Sequence, residues 1–406
     1  TATSAVCVTG LIVVDTAKDL TISGQLVVLA LIQVGGLGIM VFSFFGAFAL
    51  GRKISLKERL TVSYLLSEDD MRGLSSSLRR IVVSTLVIEA LGAAALYVRF
   101  SARGTHGLRA LLDSVFHAVS AFCNAGFALF SDSLESFRAD PWITLTVAVL
   151  IVLGGISFGV INDGRRAVAA LLRRLAGRRS EETRRPSLNT RAVVTVTGAL
   201  LASGLALFYL LEHEGVMSSY GLGEQYLAAF FQSVTLRTAG FNTVPFGGLH
   251  DATLLFMILF MFIGGASGST AGGIKVNSLA AIGAYFASFL RRERAVRIGS
   301  SAISAEKVGR AFLILGFGLA AVFCGVFALT LSEGGEFLPL LFETVSAFGT
   351  VGLSTGITPG LSAVGKSVII ALMFLGRLGP LTILTAARRR NRETQVEYPE
   401  GDLAIG

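Results

Sequence analysis

The sequence predicts an all-α membrane protein: four pseudo-symmetric helix–pore loop–helix units around a central pore, the first helix of unit one being absent from the chain. Three observations predict it. The 406 residues are 52% hydrophobic and only 15% charged, with a mean hydropathy of +0.69. One glycine-centred motif recurs four times at a nearly constant interval. The loops between apolar stretches alternate between basic and acidic.

A soluble domain carries about 25% charged residues. A soluble protein as apolar as this one would expose large apolar patches, so the bilayer is the better solvent for it. Apolar stretches lie near Gly24–Leu50, Ile81–Val98, Trp142–Ile161, Val193–Leu211, Ala252–Ile263 with Val276–Leu290, Val308–Leu331 and Val364–Ala386. Most are long enough to cross roughly 30 Å of hydrocarbon as helices. Shorter segments at Leu108–Phe122, Glu224–Leu236 and Phe337–Phe348 end in glycine-rich runs. A spanning helix needs about 20 residues, so these read as re-entrant half-helices.

Arginine and lysine concentrate in Arg52–Arg80, Arg165–Arg191, Arg291–Arg310 and the tail at Arg388–Arg392. The alternate loops carry Asp132, Glu135 and Asp140, then Glu212 and Glu214, Asp251, Glu333 and Glu336. Basic loops mark the cytoplasmic side. The short segments then open outwards, where carboxylates raise the local cation concentration. For any single carboxylate, simple solvation of its loop is the competing and more economical account.

The repeat carries the functional reading. Ser4-Ala5-Val6-Cys7-Val8-Thr9-Gly10 returns as Ser120-Ala121-Phe122-Cys123-Asn124-Ala125-Gly126 and as Ser346-Ala347-Phe348-Gly349-Thr350-Val351-Gly352. Val234-Thr235-Leu236-Arg237-Thr238-Ala239-Gly240 is a diverged third copy. The glycines are 116, 114 and 112 residues apart. Residues 1–80, 81–191, 192–307 and 308–406 form the four units. Glycine permits backbone closed to other residues, and four such strands around one axis can aim carbonyls inward to replace an ion's hydration shell. Glycine that merely eased helix packing would follow small-xxx-small spacing within the spans instead.

The third unit's second helix is interrupted by Gly264-Gly265-Ala266-Ser267-Gly268-Ser269-Thr270-Ala271-Gly272-Gly273. Each glycine disfavours helix by about 1 kcal/mol relative to alanine. Irregular backbone at membrane depth persists only inside protein or beside water, which places this run on a permeation path. A phosphate-binding loop does not fit, because Gly273-Ile274-Lys275-Val276 lacks the required Gly-Lys-Ser/Thr. Arg377 lies within the last apolar span, where a guanidinium is unfavourable by at least ~2.5 kcal/mol. It either lines the pathway or snorkels to the cytoplasmic face. Glu89, His117, Gln232 and Glu343 are expected to have buried structural partners. Three cysteines and four scattered histidines fit no metal site. With no nucleophile–base pair either, the chain is not expected to be an enzyme.

These motifs resemble the Trk/Ktr/HKT family of potassium transporters over essentially all 406 residues. The matching runs are Val8-Thr9-Gly10-Leu11, Gln33-Val34-Gly35-Gly36-Leu37-Gly38, Asn124-Ala125-Gly126-Phe127, Arg237-Thr238-Ala239-Gly240-Phe241, Gly264 to Lys275, Thr350-Val351-Gly352-Leu353 and Gly376-Arg377-Leu378-Gly379-Pro380. The tail from Tyr398 to Gly406 is similar to that of the bacterial Ktr-type membrane subunit. The resemblance implies a filter at Val8, Thr9, Gly10, Asn124, Ala125, Gly126, Thr238, Ala239, Gly240, Thr350, Val351 and Gly352. It implies a gate loop over 264–274, using Gly264, Gly265, Ser267, Gly268, Ser269, Thr270, Gly272, Gly273 and Lys275, with Arg377 against it. Potassium is the implied permeant ion. Family members with serine at the first filter glycine favour sodium, so a sodium-permeable or sodium-coupled carrier of the same fold is the alternative. The resemblance further implies a homodimer in the cell membrane, bacterial and inner, among membrane lipids. It also implies a cytoplasmic ring of regulatory subunits binding ATP or ADP. This chain is expected to bind no cofactor itself and no nucleic acid.

Overall fold

The structure, a computed structural model, describes residues 1–38, 74–175 and 186–379. The stretch 39–50 of the first span, the basic segments 52–73 and 176–185, Pro380 and the tail to Gly406 lie outside the described residues.

The described residues are mainly helical. Unit one supplies α1 (Ala2–Cys7) and α2 (Ile22–Leu37). Unit two supplies most of α3 (Leu74–Ala102), which begins before residue 81, and α4 (Gly107–Phe122), α5 (Pro141–Gly155) and α6 (Phe158–Leu175). Unit three supplies α7 (Leu188–Glu212), α8 (Leu222–Thr235), α9 (Asp251–Phe262) and α10 (Val276–Leu290). Unit four supplies α11 (Ala305–Ser332), α12 (Phe337–Gly349) and α13 (Ala363–Leu378). A two-residue hairpin pairs Arg297–Ile298 with Ser301–Ala302.

The first helices of units two to four are the long ones. Leu78–Ala102, Leu188–Glu212 and Ala305–Ser332 run for 25, 25 and 28 residues and are apolar enough to cross a membrane. Their outward faces carry Leu91, Val98, Leu210 and Leu331, all more than 60% exposed, as a surface solvated by lipid requires. The short helices do the opposite. Phe116, Phe122, Phe231, Phe342 and Phe348 on α4, α8 and α12 are wholly buried. These re-entrant segments therefore form the protein's interior.

The helices that return from the outer side begin on defined caps. Thr21, Asp140 and Ser362 accept backbone N–H groups in the first turns of α2, α5 and α13, satisfying donors that a helix start leaves free. In unit three the buried Glu212 carboxylate accepts from His250 N at 3.0 Å, just before α9. Asp140 also pairs with Arg99 and Arg103 at 2.7 and 2.9 Å, and Glu333 accepts from Ser362 N at 3.0 Å. Three of the acidic loop residues thus brace helix starts.

The sequence reading needs correction at Trp142–Ile161. That stretch is no continuous span: α5 stops at Gly155, and α6 leaves at a bend of 112°. Nor is interruption peculiar to unit three. The four returning helices are only 16, 15, 12 and 16 residues long, about 18–24 Å at 1.5 Å per residue. Those of units one and four are capped by Gly38 and Gly379, that of unit two ends on Gly155, and that of unit three ends at Phe262, capped by Ile263 just before Gly264. A Cβ on Gly35, Gly154 or Gly376 would strike the carbonyl of Val6, Phe122 or Phe348, at the end of that unit's own re-entrant helix. Close backbone approach demands glycine at these three positions, each within the last turn of its helix.

Candidate ion filter and gate

The three SA-type motifs end their re-entrant helices in one way. Thr9 N, Ala125 N and Val351 N each donate at 2.8 Å to the carbonyl of the motif serine: Ser4, Ser120 and Ser346. The residue before each has turned left-handed, with φ of 55° at Val8, 58° at Asn124 and 51° at Thr350. This is the Schellman way of closing a helix, and glycine or asparagine normally occupies its left-handed position. Val8 and Thr350 are β-branched, so their strain is held by the surroundings. The serine hydroxyl contributes a second tie in two units: Ser4 Oγ accepts from Gly10 N at 3.0 Å and Ser346 Oγ from Gly352 N at 3.1 Å. Sequence reasoning used these serines as markers and missed that role. In unit three Val234 replaces the serine, yet Thr238 keeps a φ of 66° and Ala239 N reaches Thr235 O at 3.0 Å.

The four strands meet as a closed ring. Gly10, Gly126, Gly240 and Gly352 have φ of 106°, 69°, 80° and 92°. A Cβ on Gly10 would lie 2.8 Å from Ala125 O, and one on Gly126 2.8 Å from Ala239 O. Those on Gly240 and Gly352 would come closer still, to Val351 O and Thr9 O. Each glycine thus sits against the carbonyl preceding the glycine of the next unit, and the fourth closes on the first. The twelve sequence-predicted filter residues are all in this ring or immediately behind it.

His117, Gln232 and Glu343 brace the strands that leave the ring. Leu129 N donates to His117 Nε2 at 3.3 Å, Gln232 Nε2 to Thr243 Oγ1 at 3.4 Å, and Ser354 Oγ to Glu343 at 2.9 Å. Glu89 accepts from Gln33 Nε2 at 3.2 Å and from Cys123 Sγ at 3.7 Å. All four have the structural partners expected of them.

Above the ring lies a cavity of about 390 Å³ lined by all four glycines. The Asp15, Asp132 and Glu135 carboxylates line it too, with no lysine or arginine among the lining residues. Sequence reasoning marked Asp132 and Glu135 but overlooked Asp15. Glu135 also accepts from Asn242 Nδ2 at 2.7 Å. Burial and the neighbouring Asp132 charge push the Glu135 carboxyl above its ordinary range.

Beneath the ring lies the glycine-rich run. Its two ends are pinned together: Gly264 N donates to Ile274 O at 2.8 Å and Val276 N to Gly265 O at 3.0 Å. Lys275 Nζ donates to Ala271 O, Ser269 Oγ to Ala266 O at 2.7 Å, and Ser267 N to Asn277 Oδ1 at 2.8 Å. The middle leans on unit two, with Ala266 N on Gly155 O at 2.9 Å and Thr270 N on Gly154 O at 3.1 Å. Gly268 O accepts from Phe158 N at 3.4 Å. Gly272 fits against the Thr350 side chain and Gly273, with φ 65°, against Gly349. Arg377 completes the arrangement from unit four: Nη1 donates to Thr270 O and Nη2 to Gly35 O. One guanidinium therefore joins the loop to units one and four. Its alignment is informative, because Arg377 takes the place held by Gly36, Gly155 and Gly265 in the other units.

The described residues hold no group of three or more metal-ligating side chains. The ring presents backbone oxygens, and the run beneath it carries the Lys275 and Arg377 cations on its own and neighbouring carbonyls.

Comparison with known proteins agrees with this geometry. The family model TrkH, described as cation transport protein, matches residues 1–396. The chain is 37% identical over 409 residues to the Ktr system potassium uptake protein B of Bacillus subtilis, covering 100% of this chain and 88% of that one. It is 38% identical over 411 residues to the protein of the same name from Vibrio alginolyticus, covering 100% and 87%. The potassium/sodium uptake protein NtpJ of Enterococcus hirae is 35% identical over 416 residues, covering 100% and 88%. The crystal structure of the potassium transporter TrkH from Vibrio parahaemolyticus superposes with a TM-score of 0.72 at 20% identity, covering 95% of this chain and 76% of that one. By its family match, its relatives and its all-helical membrane fold, the chain belongs to the TrkH family of cation transport proteins, which are transporters and not enzymes.

Proposed function

We propose that this protein takes up potassium across the cell membrane through a filter of backbone carbonyls at residues 8–10, 124–126, 238–240 and 350–352. The observation that carries this reading is the closed ring, in which each glycine abuts the next unit's carbonyl. Carbonyls held by backbone in this left-handed turn can replace hydration water around a cation at fixed positions. The loop over 264–274 acts as the gate, latched by Arg377. Following the family resemblance, two copies form a dimer, and a separate cytoplasmic nucleotide-binding subunit sets the position of the loop.

Competitive flux of potassium, rubidium and sodium into proteoliposomes tests the filter. Gly10→Ser lowers the potassium-to-sodium flux ratio, because the serine side chain enters the ring at one of its two roomier positions, against Ala125 O. An unchanged ratio means selection occurs elsewhere, and a wild-type ratio near one favours the sodium-permeable alternative.

The vestibule carboxylates concentrate cations before they enter. Glu135 has a raised pKa, so as pH falls it loses its charge at a higher pH than an ordinary glutamate. Acidification into that range raises the KM for potassium while leaving the maximal rate unchanged. Glu135→Gln shows the raised KM at every pH and flattens the profile. Uptake kinetics of the two proteins across mildly acidic pH check this.

A further inference from the structure

We infer that Thr270 is a positioning residue through which the gate loop sets the selectivity of the filter, acting on Asn124. The inference rests on the filter and gate reading above and adds that the two are one mechanical unit.

Thr270 is 2% exposed and sits where three elements converge. Its Oγ1 lies 2.9 Å from Gly154 O at the end of α5, 3.2 Å from Phe122 O at the end of α4, and 3.5 Å from the Asn124 side-chain oxygen. A hydroxyl donates one proton, so it bonds one carbonyl at a time while touching the others. Gly154 makes this convergence possible: a Cβ there would collide with Phe122 O and lie 2.7 Å from Asn124 Oδ1.

Asn124 carries the contact onward. Its Nδ2 donates across the ring to Arg237 O at 3.2 Å and approaches Thr238 Oγ1 at 3.5 Å. The amide therefore has its oxygen on the gate loop and its nitrogen on the neighbouring unit's filter strand. The Thr270 carbonyl meanwhile takes the Arg377 guanidinium. One loop residue thus faces the latch with its backbone and the filter with its side chain. When the loop leaves, Asn124 loses the Thr270 hydroxyl that stands 3.5 Å from its oxygen, and the spacing between the second and third strands is free to relax. Cation selection at the ring is sensitive to such spacing, since it depends on how carbonyls are held.

The test is the potassium-to-sodium flux ratio of the full-length protein in liposomes. Thr270→Val keeps the approximate shape, the backbone N–H and the carbonyl, and replaces the hydroxyl with a methyl. The expected result is a ratio lowered by about three- to tenfold, as loss of one buried hydrogen bond implies, with Thr270→Ser restoring it. Asn124→Leu removes the other end of the contact and is expected to lower the ratio as well. The double variant should fall no further than the worse single one, since the two act through one contact. A Thr270→Val protein whose total flux changes while its ratio stays at the wild-type value overturns the coupling and leaves the gate intact. Additive effects in the double variant overturn it too. Where Thr270→Val does not yield folded protein, an unaltered ratio in Asn124→Leu overturns it by itself. Failure of the gate reading shows separately, as unchanged regulated flux after the loop is shortened.

Discussion

Gly352→Ala abolishes cation flux, reducing it by at least about 100-fold, while the protein still folds in the membrane. The reason is local. At φ 92° an alanine is strained wherever it sits, by about 1–2 kcal/mol. Its Cβ would also press on Thr9 O and stand 2.8 Å from the Gly10 Cα. Both are backbone atoms, and real Cβ atoms essentially never come within 3.0 Å of a neighbour. The neighbouring strand cannot step aside cheaply, because Thr9 N is tied to Ser4 O at 2.8 Å and Gly10 N to Ser4 Oγ at 3.0 Å. A further 2.7 kcal/mol or so of barrier, whether from a misplaced carbonyl or from a methyl in the ion's path, suffices for a 100-fold loss. The ring gives an order: Gly352 and Gly240 are least tolerant, Gly10 and Gly126 more so. Gly198→Ala on α7 meets open space and leaves flux unchanged. Rubidium uptake into proteoliposomes, with thermal unfolding of each purified variant, separates lost conduction from lost folding. Near-normal potassium-selective flux through Gly352→Ala would remove the ring from the conduction path.

Much of this arrangement was legible in the sequence because it is periodic. The long first helices announce themselves by hydropathy, and α4, α8 and α12 fall within two residues of the segments expected from length and glycine content. The four glycines of the ring were legible as a set for the same reason: they recur at a nearly constant spacing. What the sequence hid is long-range. The end of α5 lies where Gly154 packs without a side chain against Phe122 O, a contact between residues 32 apart that hydropathy, continuous through Trp142–Ile161, cannot register. Asp15 is an ordinary loop carboxylate until the fold sets it beside Asp132 and Glu135. Thr270 reads as one small residue in a low-complexity run, and only its neighbours from units two and four distinguish it from Ser267 or Ser269. The apparent asymmetry of unit three also changes meaning. Every unit's returning helix stops short of a full span, and in unit three the residues that follow form a loop that reaches unit two.

Arg377→Ala raises flux in the absence of any regulatory subunit, by at least tenfold. Arg377 donates to Thr270 O on the loop and to Gly35 O on α2. Each hydrogen bond from a charged donor contributes about 1.5–3 kcal/mol. Losing both biases a closed–open equilibrium by roughly 10²–10⁴-fold, of which flux reports the part up to full opening. The guanidinium also opposes cations by charge alone, and the two effects are separable. Arg377→Lys keeps the charge but offers a compact ammonium in place of a planar fork that spans two carbonyls. If the bridge holds the gate, lysine opens it nearly as far as alanine does. If the charge is the barrier, lysine leaves it shut. Deleting residues 268–273 is the stronger form of the same experiment. It removes both Thr270, the acceptor for Arg377, and Gly272, which abuts Thr350 beneath the ring. That variant conducts without regulation, and Arg377→Ala added to it changes flux little, because the latch has nothing left to hold. A large further rise on adding Arg377→Ala would show that arginine obstructs the pore on its own, and low, still-regulated flux after the deletion would place the gate outside this loop.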